Sequence, residues 1–296
     1  MTERSKWANA DFWFSIVLYI LITCITLFVL LPLLNVLSSS FSSPYLVAQG
    51  HIWFWPQALT LQSYGKVFEN ASVWIGYRNT LLYTALGTSI NVILTVLAAY
   101  PLSRSDLRGG KAILGLLIFT MYFQGGIIPT YLVVKQLGMV NTVWAMVLPG
   151  AINTFNLIVM RTYFMSTLPK ELQESAFIDG CTNVRYLWSI VLPVCKPILA
   201  VIALYYSVHH WNDFFQALIY LSDAKRYPLQ LVLRDILISS KVDDFATLDN
   251  GFTDRLFQAE GIKYAMIVVA SLPMLVLYPF LQRYFVKGAL VGSVKG

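Results

Sequence analysis

The stretch Thr167–Pro197 reads TLPKELQESAFIDGCTNVRYLWSIVLPVCKP, and its punctuation organises the reading of the whole chain. Pro169 suits a first helical turn, where a missing N–H removes no bond, and Gly180 suits the left-handed residue that closes a helix. Between them Leu172 and Ala176 stand on one face with Phe177 beside them, while Lys170, Glu171 and Glu174 supply a polar side. Thr182 is placed to cap a second short helix. Pro193 and Pro197 then lead into a long apolar run. The pattern is a short amphipathic helix, a sharp glycine turn and an entry into hydrophobic sequence. Two uses fit it: an element whose apolar face enters a groove on another protein, or a helix lying in a membrane interface.

Outward from this segment the sequence is apolar. Of 296 residues, 57% are hydrophobic and 12% charged, with a mean hydropathy of +0.63. A soluble domain carries about 25% charged residues, so soluble and disordered classes are excluded and a polytopic membrane protein is implied. The aromatic share of 15% agrees, because Trp and Tyr favour membrane–water interfaces. Three cysteines without a CxxC spacing offer neither a disulfide framework nor a zinc site. The net charge of +6 comes without a long basic run, which suits membrane orientation better than nucleic-acid binding.

A membrane-spanning helix needs roughly 20 apolar residues. Phe12–Leu34 has 23 and no charge; it is too long for a signal-peptide core and lacks a small-residue cleavage site, so it reads as a retained span. Residues 79–102, 112–134, 137–160 and 264–282 are likewise uncharged, and 197–220 is interrupted once, by Asp213. The fold expected is an all-α membrane protein with six transmembrane helices, since these lengths without alternation exclude a barrel. Twelve Lys and Arg residues flank the amino terminus, the second and fourth connections and the tail; nine lie opposite, six of them in one long connection, 221–263. Short flanks decide orientation, so both termini are expected in the cytoplasm. Segment 167–196 is then cytoplasmic, and 35–74 and 221–263 are extracellular. Either long segment fits a docking surface or a solvated connector.

Catalytic signatures are missing. No GxxxxGK[ST] occurs, Gly110-Lys111 being followed by Ala112, and neither HExxH nor GxSxG is present. The chain is therefore expected to be no enzyme and to hold no cofactor or metal of its own.

The segment opened on above resembles the EAA loop of permeases in ATP-binding-cassette (ABC) importers, whose pattern is E-A-A, three residues, G, nine residues, I-x-L-P. Here Glu174-Ser175-Ala176, Gly180 and Ile190-Val191-Leu192-Pro193 stand at the full spacing, with Ser175 in place of the second alanine. Trp211-Asn212-Asp213 and the tail Gln282–Gly288 with Gly292–Gly296 are similar to the carbohydrate-uptake, maltose-permease-like group. Tyr122–Thr130, YFQGGIIPT, resembles its complex-oligosaccharide subgroup. The resemblance implies the type I importer permease fold over 1–296 as one transmembrane domain in the bacterial cytoplasmic membrane. It also implies a heterodimer with a second homologous permease, two ATPase subunits that hold ATP and Mg, an extracellular or periplasmic solute-binding protein, and an oligosaccharide substrate. Coupling to the ATPase is implied for Glu174, Ser175, Ala176, Asp179, Gly180, Ile190, Leu192 and Pro193.

Asp213 is the only charge inside an expected span, which makes it a functional candidate. It lies about 24 Å along the helix from Pro197, near the outer boundary, and His209 is one turn earlier on the same face. With Asn212 and Gln216 these residues form either a polar lining at the end of a sugar path or an interfacial cap. Gly125, Gly126 and Pro129 interrupt the third span; breaks of this kind line pathways or allow close packing, and Tyr122 and Gln124 belong to the same candidate path. Rival readings are an ABC permease for peptides or amino acids, a self-sufficient secondary transporter, for which intramembrane charges are too few, and a membrane enzyme, for which no catalytic pair can be named.

Overall fold

The computed structural model describes residues 3–242 and 252–293, and the side chains of 11–238 and 257–279. The middle of segment 221–263, the chain end Val294–Gly296 and the side chains of the Gln282–Gly288 motif lie outside the described residues. Among the described residues every regular element is a helix, in agreement with the all-α expectation. They fall into two compact units, one of the residues to Asn70 with Asp235–Ser271, the other of Ala71–Arg234 with the residues from Leu272 on.

In the first unit α1, Glu3–Ser40, is apolar on every side over its middle, and none of its most hydrophobic window is buried within the chain. A helix of this kind belongs against lipid or a partner. Its end is knitted to the following loop: Ser38 Oγ donates to Phe54 O (2.6 Å) and Asn35 Nδ2 to Ile52 O (2.8 Å). Two short helices follow, α2, Pro44–Ala48, and α3, Gln62–Glu69, and Tyr64 of α3 donates to Ser40 Oγ (2.8 Å). Trp53 and Trp55 between them are exposed, as an interfacial belt requires.

The second unit is built around α4, Ala71–Ser103, long and apolar enough to cross a bilayer. Next come α5, Gly110–Tyr122, and α6, Ile127–Gln136, bent from one another by 113°. The stretch 112–134 is thus a broken pair rather than one straight helix. Gly126 at φ +89° takes a conformation other residues avoid, and Pro129 sits in the first turn of α6. The stretch 137–160 is not one helix either. Gly138, Asn141 and Gly150 all have positive φ, leaving only α7, Trp144–Val147, before α8, Thr154–Thr167. Asn153 caps α8 by accepting from Asn156 N (3.1 Å). Hydropathy counts apolar side chains, whereas these breaks are set by backbone chemistry.

The chain continues through α9, Lys170–Ile178, α10, Asn183–Tyr186, a π-helical turn at Leu187–Val191 and α11, Leu192–Val194. An 84° bend at Cys195 leads into α12, Lys196–Asn212. After a break at Asp213 come α13, Phe215–Tyr220, a 3₁₀ turn at Ala224–Arg226, α14, Leu229–Val242, and α15, Phe252–Ser293. Counting segments of α1, α4 and α15 and the two bent pairs, up to five spans are long and apolar enough to cross a membrane.

Helix α4 packs chiefly on α12 and α8. Near its start it also anchors the 225–229 turn: Asn79 Nδ2 donates to Lys225 O (2.8 Å) and Tyr227 O (3.0 Å), Tyr83 donates to Arg226 O (2.8 Å), and Thr80 Oγ1 accepts from Leu229 N (2.8 Å). Asn79→Leu removes two donors from part-buried carbonyls, at a cost of about 1–3 kcal/mol each where water cannot replace them. Limited proteolysis of the purified protein should then cleave between Leu221 and Leu229 several times faster than in wild type. An unchanged cleavage rate would show that the turn is held by other contacts.

Candidate functional site

Pro169, extended at φ −62° and ψ 147°, precedes α9 as its cap residue, one position outside the first turn expected for it. Glu171 lies in the first turn, where a negative charge meets the positive end of the helix. The far end closes as expected at Gly180, φ +76°. Cys181 N donates to Ala176 O and Gly180 N to Phe177 O, both at 3.0 Å, the paired bonds of a Schellman closure. A Cβ on Gly180 would meet nothing within 4 Å; the position demands backbone handedness and not space. Thr182 then accepts from Arg185 N (3.4 Å) to cap α10.

Arg104, counted in the sequence only as an orienting charge, clamps this turn from both sides. Its guanidinium lies over the Phe177 ring at 5.2 Å and donates to Asn183 Oδ1 and, at 3.3 Å, to Tyr100 Oη. Asp106 completes the clamp with a two-pronged ion pair, 2.8 and 2.5 Å. That bond holds the Asp106 carboxyl below the usual carboxylate range and raises the guanidinium further.

The apolar side of α9 divides. Ala176 is buried and Phe177 half-buried in a core that also contains Tyr100 of α4, Phe164 of α8, Tyr186, Val191, and Ile202 and Tyr206 of α12. Leu172 sits at the edge and Ile178 is 86% exposed. Glu174, Ser175, Asp179 and Pro193 are also exposed, and Ile190 and Leu192 are half-buried against the same core. Ser175 satisfies its hydroxyl on Leu172 O (3.1 Å), so serine in place of alanine leaves the helix intact.

The polar residues of α12 meet at its break. Asp213 is 9% exposed, and its Oδ1 accepts from Gln216 N (3.1 Å), capping α13. Asp213 Oδ2 and Gln216 Oε1 are buried without a hydrogen-bond partner. His209 is exposed and forms no ion pair with Asp213; Asn212 bonds its amide to Val208 O (2.9 Å) and accepts from Gln230 Nε2 (3.5 Å). Tyr122 and Gln124 stand exposed at the separate α5–α6 break.

His210, passed over in the sequence, is buried where His209 is not. Its Nε2 is 3.0 Å from Asn91 Nδ2, and a Cβ at Gly87 would come within 2.4 Å of that same ring atom. One turn further along, the Thr95 and Tyr206 hydroxyls bond at 2.8 Å, and Asn153 N donates to Tyr206 Oη (3.0 Å). The signal was the stripe Thr80, Thr84, Gly87, Asn91, Thr95, small and polar residues three or four apart along one face of an apolar helix.

No protein-family model matches the chain. Protein LplC of Bacillus subtilis is 45% identical over 90% of this chain and 90% of its own. The polygalacturonan/rhamnogalacturonan transport system permease protein YtcP of the same organism is 39% identical over 96% of this chain and 98% of its own. The chain belongs to the carbohydrate-uptake permeases of ABC transporters. A crystal structure of a bacterial ABC transporter involved in the import of the acidic polysaccharide alginate contains a chain similar to this permease, 31% identical with a TM-score of 0.83, covering 93% of this chain and 98% of that one. The permease is a multi-pass protein of the bacterial cytoplasmic membrane and a transport subunit, not a catalytic one.

Proposed function

We propose that this permease is one of two homologous membrane subunits of an importer for oligosaccharides released from polysaccharides, driven by ATP and Mg bound on two partner ATPases. Similarity over nearly the whole chain to a polygalacturonan/rhamnogalacturonan permease carries the reading. An extracellular solute-binding protein delivers the sugar. The whole chain acts as one transmembrane domain, with six spans and both termini cytoplasmic, a topology supported by the twelve-to-nine distribution of Lys and Arg with six of the nine in one long loop.

Closure of the ATPases moves α9. The core that α9 shares with α4, α8 and α12 transmits this to the bundle, which alternates between inward-open and outward-open states. Glu174, Asp179 and the exposed Ile178 face the ATPase, and Gly180 fixes the angle at which they do so. At the α12 break, Asp213 Oδ2 and Gln216 Oε1 are acceptors in need of donors, which sugar hydroxyls supply; His209, Asn212, Tyr122 and Gln124 complete the path.

The test is reconstitution of the permease with its co-encoded partner permease, ATPase and binding protein in liposomes. Saccharide uptake should require ATP and the binding protein. Asp213→Asn, which weakens a charged hydrogen bond, should lower uptake about tenfold or more with the complex still assembled. Uptake by the permease alone, without ATP, would replace the importer by a self-sufficient transporter.

A further inference from the structure

The loop that carries the Arg104 clamp also roofs a cavity of about 620 Å³, walled by the end of α4, the start of α5, α8 and the first turn of α9. Its lining holds four cationic side chains, Arg104, Lys111, Arg161 and Lys170, and no Asp or Glu. Arg104 is balanced by Asp106. The other three have no such balance: Arg161 uses Nε on Leu102 O (2.7 Å), leaving its terminal N–H groups, and neither Lys111 nor Lys170 forms an ion pair among the described residues. Helix α5 opens into the same space at Gly109, φ +80°, with no side-chain cap, adding the positive end of a helix to the field. Apart from Ser103, Ser105 and Gln173, the rest of the wall is largely apolar, including Leu102, Phe164 and Leu168.

From these features we infer that the cavity binds the phosphate of an anionic phospholipid, with the cationic rim holding the headgroup and the apolar wall receiving the glycerol and the upper acyl chains. A free phosphate would use the rim and gain nothing from the apolar wall, and the cavity lies at the end of a membrane-crossing helix, where a headgroup is at the right depth. Lys170 and Gln173 belong to α9 and Lys111 to α5, so one bound headgroup ties the segment proposed to meet the ATPase to the neighbouring helix. Anionic lipid therefore acts as a structural cofactor of coupling. This rests on the importer reading for its consequence, but not for the binding itself.

The test uses the purified complex with its partner subunits in mild detergent and spin-labelled phosphatidylglycerol as probe, with phosphatidylcholine for comparison. Lys111→Gln with Lys170→Gln should weaken phosphatidylglycerol binding about fivefold per lysine, about 25-fold together, and leave phosphatidylcholine unaffected. The doubly conservative variant Lys111→Arg with Lys170→Arg should bind like wild type, which separates loss of charge from loss of fold. Equal affinity in wild type and the glutamine variant overturns the site. Displacement of the probe by millimolar inorganic phosphate makes it a free-anion site and overturns the lipid assignment. Dissociation of the ATPase from the glutamine variant shows that an acidic segment of that partner fills the cavity, and overturns it too. Failure of sugar uptake by the wild-type complex with lipid binding intact would count against the importer reading alone.

Discussion

Gly180→Val is expected to cut the stimulation of ATP hydrolysis by the binding protein about tenfold or more while leaving much of the transporter assembled. The effect comes from the backbone. At φ +76° an L side chain is strained whatever surrounds it, and a residue forced into this region costs about 1–3 kcal/mol, most for β-branched types. The chain would relieve the strain by moving away from the left-handed region. It would then lose the bonds from Cys181 N to Ala176 O and from Gly180 N to Phe177 O. Arg104 grips Phe177 before the turn and Asn183 after it, so an altered turn cannot be absorbed locally and α9 is re-aimed. ATP hydrolysis of the reconstituted complex, with and without loaded binding protein, measures the outcome. A fall of about tenfold or more in the stimulated rate corresponds to a strain near 1.4 kcal/mol. Gly180→Asn, which tolerates the left-handed region, should keep most of the stimulation. Full stimulation in Gly180→Val would remove the turn from the coupling route.

The second large effect is at Gly87. A Cβ there falls 2.4, 2.6 and 2.8 Å from three atoms of the His210 ring, distances at which something must shift. His210 is buried between α4 and α12 and bonded to Asn91, so the shift opens the contact on which α4 packs most extensively. Overpacking of this kind costs about 1–3 kcal/mol, and the broken Asn91–His210 bond adds to it. Gly87→Leu should therefore reduce the yield of monodisperse permease several-fold after mild heating, measured by size-exclusion chromatography. Gly87→Ala combined with His210→Ala should recover part of what Gly87→Ala loses, because the two changes share one space. Wild-type heat resistance in Gly87→Leu would mean that α4 and α12 do not approach as closely as described.

These two glycines also mark how far the sequence could be read. Gly180 was legible because everything that demands it is within a few residues: Pro169 before the helix, Thr182 after it, and apolar residues at helical spacing between. Gly87 was not, because its reason is a histidine more than a hundred residues away. Which of His209 and His210 is buried depends on the phase of α12 against α4, and adjacent residues of one type carry no signal about phase. The clamp made by Arg104 was missed for the same cause, since Asn183, its partner across the turn, is remote in sequence. The breaks in 112–134 and 137–160 were visible as Gly126, Gly138, Asn141 and Gly150, but an apolar run outweighs a few turn formers when residues are only counted. At Asp213 one carboxylate oxygen accepts from Gln216 N at the start of α13 and the other is buried with no donor, an arrangement that depends on where α12 breaks and not on residue type alone.

The core that runs without interruption from Ala176 through Tyr186, Val191 and Cys195 to Tyr206 has an energetic meaning beyond holding the fold. A lever that bends under load wastes its stroke. If the side chains around the 84° bend at Cys195 yielded when α9 was pushed, nucleotide would be consumed while the passage stayed as it was. In the proposed importer, the number of ATP molecules spent per sugar moved would then depend on the stiffness of this packed interior.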